Sequence, residues 1–178
     1  MPQPSRIRPV ALFVALLGGA ISSGCLSHFR VAQTPAPSPP FRPEEFFAGA
    51  TAGEGVLAAR FKADRPFRVA GLGHTEPDGT FVLDQTVTYT GGAVERRSFR
   101  IRRVNDHDYT GTLTGASGAV SARADANSFH IRYRIGQPAI TMEQWLYLQP
   151  DGRTVLNRAT VRVLGIPFAH LSETITRQ

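Results

Sequence analysis

From Phe41 onward the chain alternates apolar and polar residues with a period of two, the spacing that sends successive side chains to opposite faces of a strand. Ser128–Ile135 is the clearest run. Phe129, Ile131, Tyr133 and Ile135 fall on one face, and His130, Arg132 and Arg134 on the other. Phe81–Tyr89 repeats the pattern, with Phe81, Leu83, Gln85, Val87 and Tyr89 together. Between such runs come turn formers: Pro77-Asp78-Gly79, Gly91-Gly92, Asn105-Asp106, Gly115 to Gly118, Asn127, Gly136-Gln137-Pro138, Pro150-Asp151-Gly152 and Gly165-Ile166-Pro167. About nine or ten short strands, close turns and no long helix predict an all-β fold. An antiparallel up-and-down meander closed into a barrel is expected, with a two-sheet sandwich as the alternative. Pro43-Glu44-Glu45-Phe46-Phe47 predicts one or two helical turns before the first strand. Proline suits the first helical position, acids suit the positive N-terminal end, and Gly49 stops the helix.

The first part of the chain has a different pattern. Arg6 and Arg8 precede an unbroken apolar run, Val10–Ile21. That run is far shorter than the roughly 20 residues a membrane-spanning helix needs, so it reads as a secretory signal. Small residues and the only cysteine follow, as Ser22-Ser23-Gly24-Cys25. This segment resembles the lipobox of bacterial lipoproteins, with Ser22 where that pattern usually has Leu. The resemblance implies that Cys25 is acylated (palmitate-type chains) and becomes the mature N-terminus. Ordinary signal-peptidase cleavage after Ala20-Ile21-Ser22 is the competing reading. Lipidation also accounts for one unpaired thiol in an exported chain. The division that follows is 1–24 signal peptide, 25–40 lipidated Cys25 and proline-rich tether, and 41–178 β-barrel domain. In the tether, Thr34-Pro35-Ala36-Pro37-Ser38-Pro39-Pro40 favours an extended polyproline spacer. Leu26 rather than Asp after the cysteine implies, by the family's sorting rule, the periplasmic face of the outer membrane.

The motifs Phe41-Arg42-Pro43-Glu44-Glu45-Phe46-Phe47, Arg96-Arg97-Ser98-Phe99, Tyr109-Thr110-Gly111, Trp145-Leu146-Tyr147-Leu148 and Leu156-Asn157-Arg158-Ala159 resemble a family of uncharacterised bacterial lipoproteins. That family is known only as a domain of unknown function. The resemblance implies a lipocalin-like (calycin-type) barrel and brings no activity with it.

Composition changes this picture little. The net charge is +6, and the 20 basic residues include one lysine, Lys62. An exported arginine-rich chain does not point to nucleic acid. With one cysteine, stability must come from packing rather than disulfides. The apolar faces assigned inward carry Phe81, Leu83, Val87, Phe99, Ile101, Phe129, Ile131, Tyr133, Val155 and Val161. The same alternation places the polar residues Gln85, Arg97 and Asn157 inside. Glu143 shares a face with Trp145 and Tyr147, but Ile140, Met142, Leu146 and Leu148 compete for the inward side, so that strand is ambiguous. The expected ligand-binding set is therefore Gln85, Arg97, Phe99, Phe129, Tyr133, Glu143, Trp145 and Asn157. An inward Arg97 needs an acceptor such as Glu143 or Asp84. It either anchors the head group of an otherwise apolar ligand, belongs to a structural network, or extends to the rim.

Enzyme signatures are poor. Gly115-Ala116-Ser117-Gly118-Ala119 misses a nucleophile elbow. Asp106-His107-Asp108 sits in a turn without a second ligand cluster, so neither a catalytic residue nor a metal or cofactor is expected. Arg100, Arg102, Arg103, Arg132 and Arg134 make a basic outer stripe, either solvated or facing anionic lipid. The expected function is a lipid-anchored envelope protein whose barrel binds a small, mainly apolar ligand without catalysis. The alternative is an assembly factor that holds another envelope protein through its outer surface.

Overall fold

The computed structural model describes residues 39–136 and 140–178. The expected signal sequence, Cys25 and the expected tether up to Ser38 lie outside the described residues. A helix, α1 (Pro43–Phe46), is followed by ten strands. They are β1 (Gly49–Ala59), β2 (Arg65–Thr75), β3 (Phe81–Tyr89), β4 (Val94–Arg103), β5 (Asp108–Leu113), β6 (Val120–Asp125), β7 (Ser128–Ile135), β8 (Ile140–Leu148), β9 (Thr154–Val163) and β10 (Ile166–Arg177). Every strand pairs antiparallel with its neighbours in sequence, and β1 pairs with β10 to close the ring. The sheet is thus a barrel and not a sandwich, with no free edge among the described strands.

Two turn signals show why these residues form these elements. Asp78 accepts from the Thr80 N–H at 2.9 Å, while Gly79 takes a left-handed backbone, φ 83°, that bulkier residues resist. Asp151 likewise caps the β8–β9 turn, accepting from the backbone of Arg153 and Thr154. Glycine has a second use where strands crowd. A side chain at Gly111 would stand 1.9 Å from the Arg100 carbonyl oxygen.

The inward positions form one core, and the expected Phe81, Leu83, Val87, Phe99, Ile101, Phe129, Ile131, Tyr133 and Val155 are all buried in it. Val161 packs against it, half-buried. Ten strands, within the nine or ten expected, enclose more space than eight would, because barrel diameter grows with strand number. The extra space is filled at one end by α1. Phe41, Phe46 and Phe47 are buried there, with the Phe41 ring edge-on to Phe46 at 5.7 Å and to Phe129 at 5.9 Å. The Phe41 N–H donates to the Ala126 carbonyl at 2.7 Å, and the Tyr109 hydroxyl donates to the Glu44 carboxylate at 3.1 Å. The helix occupies a single turn, as proline at its first position and Gly49 beyond its end dictate.

The strand left ambiguous by sequence has one facing. Met142, Gln144, Leu146 and Leu148 are buried, whereas Glu143 and Trp145 lie on the outer face. Placing Glu143 and Trp145 inward is corrected on that ground. Because strand side chains alternate, only one set can be buried. Three apolar side chains and a neutral amide lose less on desolvation than a set containing a carboxylate.

Candidate functional site

The most enclosed site is the barrel interior beneath α1, where a cavity of about 50 Å³ remains, room for a few waters by the usual measure. Phe47, Phe81, Leu83, Phe99, Phe129 and Ile175 form its apolar side. Gln85 on β3, Arg97 on β4, Gln144 on β8, Asn157 on β9 and Glu173 on β10 form its polar side. Two wider hollows, about 660 and 540 Å³, are grooves on the outer sheet faces over β1–β2–β10 and β2–β3–β4. The first carries the solvent-exposed Arg68–Glu54 pair. Neither isolates a ligand from water as the interior does.

Polar residues inside the barrel form a chain. The Asn157 amide donates to Glu173 Oε2 at 2.9 Å and approaches Gln144 Oε1 at 3.4 Å. The Gln144 amide donates to the Tyr133 hydroxyl at 2.8 Å, and that hydroxyl donates to Met142 Sδ at 3.0 Å. Across the cavity, Arg97 Nε donates to Gln85 Oε1 at 3.2 Å. Glu173 is only 4% exposed. Burial pushes its carboxyl pKa up, opposed by the Asn157 hydrogen bond and the positive charge of Arg97. Burial likewise raises the Tyr133 phenol. Two acceptors in this layer, Glu173 Oε1 and Asn157 Oδ1, are buried with no protein partner.

Of the residues singled out from sequence, Gln85, Arg97, Phe99, Phe129 and Asn157 border the cavity. Tyr133 joins through Gln144. Glu143 instead pairs outside with His130 at 3.0 Å and Arg162 at 3.7 Å. Trp145 is 39% exposed, stacked on His130 with ring centroids 3.9 Å apart. The partner expected for Arg97 is thus neither Glu143 nor Asp84; Gln85 takes its Nε hydrogen bond, and Glu173 is the carboxyl that its positive charge reaches. Asp108 of the Asp106-His107-Asp108 turn is held by Arg123 at 2.8 Å, and His107 by the Ala124 carbonyl at 3.0 Å.

Sequence reasoning missed Gln144 and Glu173. Glu173 stands midway between Leu171 and Ile175 in a period-two run, which was the available signal. What makes room for it lies elsewhere. A side chain on Gly53 would meet Glu173 Oε1 at 2.3 Å, so the bare β1 backbone opposite Glu173 accommodates the carboxylate.

A family model described as "Protein of unknown function (DUF3833)" matches residues 20–177. No curated protein is similar in sequence. Among solved structures, the S-type phycobiliprotein lyase CPES from Guillardia theta is similar with a TM-score of 0.60 at 6% identity, over 76% of this chain and 90% of that one. A protein of unknown function from the DUF3598 family of Nostoc punctiforme gives a TM-score of 0.60 at 11% identity, over 83% of this chain and 53% of that one. At such identities the likeness is one of fold: a lipocalin-like barrel.

Proposed function

The chain belongs to the DUF3833 family, and from that premise and the barrel interior we propose that it binds a small, mainly apolar ligand, without catalysis, as a lipid-anchored bacterial envelope lipoprotein. The observation that carries this reading is the pair of buried acceptors, Glu173 Oε1 and Asn157 Oδ1, left without protein partners beside a cavity that is otherwise aromatic and aliphatic. A buried polar atom without a partner is destabilising by roughly 1–3 kcal/mol. A guest that donates a hydrogen bond at one end and presents hydrocarbon at the other offsets that loss. Pockets commonly fix an apolar guest in this way, with a few placed polar groups. The free volume restricts the guest to a short molecule or to one that displaces side chains such as Arg97. The phycobiliprotein lyase supports the fold and contributes no substrate.

The envelope part of the reading rests on the leader and on Cys25, whose acyl mass on the purified protein is its direct check. For the cavity, the test is native mass spectrometry of the full chain extracted from membranes. A bound small molecule is expected, and filling the cavity with Leu83→Trp should remove it while the strand signal in circular dichroism persists. Wild-type protein free of any bound molecule would overturn the reading, as would retention of the guest by a folded Leu83→Trp variant.

A further inference from the structure

The end of the barrel away from α1 carries the β1–β2 and β9–β10 turns side by side, because β1 and β10 are paired. Ala59 lies opposite Ala169, and the Arg60 N–H donates to the Phe168 carbonyl at 3.0 Å. These two tips expose bulky apolar residues. Phe61 is 99% exposed, Leu164 68% and Ile166 61%, with Phe168 beside them. Among the described residues only three non-glycine residues have a left-handed backbone, and two of them are these tip residues: Phe61 at φ 60° and Leu164 at φ 51°. Glycine or asparagine would suit such positions better. A large, mostly exposed side chain there is a strained choice of the sort that clusters at functional sites.

Charge is arranged along the same axis. Arg60, Lys62 and Arg65, all exposed, flank Phe61, and Arg162, half-buried and paired with Glu143, precedes Leu164; Asp64 is the only acid in either tip. The turns at the α1 end hold Glu76, Asp78, Asp106 and Asp151, the first three paired with Arg100, Arg102 and Arg103, and Arg153 beside the fourth. We infer that the tips of the β1–β2 and β9–β10 hairpins insert into the headgroup layer of an anionic lipid bilayer, with the barrel standing on that end. Protruding apolar side chains ringed by cations match a surface that is negative outside and oily beneath. A soft bilayer closes around two separate knobs, whereas a protein partner would need a pocket shaped for both. A second copy would set the same cations against one another. This contact is independent of whatever occupies the cavity.

The test uses the full chain with Cys25→Ala and Ile166→Cys, labelled at residue 166 with an environment-sensitive fluorophore and mixed with phosphatidylglycerol–phosphatidylethanolamine vesicles. The leader can bring the chain to the vesicle in every sample, so the label reports only whether the tip enters. A blue shift and quenching by brominated lipid tails are expected. Both should weaken several-fold in phosphatidylcholine vesicles and in a Phe61→Ser, Leu164→Asn background. A label at exposed Thr174, farther along β10, should stay water-like. A water-like signal from residue 166 in the anionic vesicles overturns the inference. So does a shift at residue 166 that survives Phe61→Ser, Leu164→Asn, or one that residue 174 matches.

Discussion

Glu173 shows how one residue can set the behaviour of the interior. Its carboxyl pKa is raised by burial above the ordinary 4.5. A raised acid contributes its full stability below the unfolded value and loses it as pH rises through the folded one. Replacing it by glutamine removes that dependence. Glu173→Gln is therefore expected to be more stable than wild type at pH 8, with the difference shrinking toward pH 4, as read from urea midpoints at both values. A difference that grows toward acid would mean that Arg97 holds Glu173 ionised instead. Asp78, Asp108 and Asp151 run the other way. Hydrogen bonds from Thr80, Asn105 and Thr154 hold them below 3.8, so their contribution is present at neutral pH and is lost in acid. They are common to both proteins and cancel in the comparison. Glu173 also marks a limit of legibility. Its place in an alternating run was visible, but the space left by Gly53 on another strand was not.

At the scale of elements, α1 is four residues long, too short to be stable alone. It forms because Phe46 is buried with its neighbours Phe41 and Phe47, and Phe41 in turn packs on Phe129 of the barrel wall. The helix was legible from Pro43, the two acids and Gly49. Its role as the plug of one barrel end was not. Phe46→Ala should lower stability by about 3–5 kcal/mol, the usual range for a buried Phe, and speed amide exchange of Phe41 and of the β6–β7 turn that it holds. An effect below 1 kcal/mol would show that the plug is dispensable. β8 gives the opposite lesson. Both of its faces carry bulky apolar residues, four on one and Trp145 with Tyr147 on the other, and desolvation of Glu143, set by the surrounding walls, tips that second face outward.

For the whole molecule, closure by β1 and β10 joins the first strand to the last. Nearly all of the described chain must be in place before that pairing forms, and non-local pairing of this kind is slow. Refolding from urea should take milliseconds to seconds, with Trp145 fluorescence and strand circular dichroism coinciding in one transition. An early phase in fluorescence alone would indicate a partly closed intermediate. The sequence by itself determined the strand pattern, the turns, the starting helix and the apolar inward residues. Those depend on contacts between near neighbours, and alternation records them directly. Only the tertiary structure decided the count of ten strands, the facing of β8, the chain linking Glu173, Asn157, Gln144 and Tyr133, and the adjacency of the Phe61 and Leu164 tips. Each of these depends on which distant strands lie side by side, and a period of two carries no information about partners.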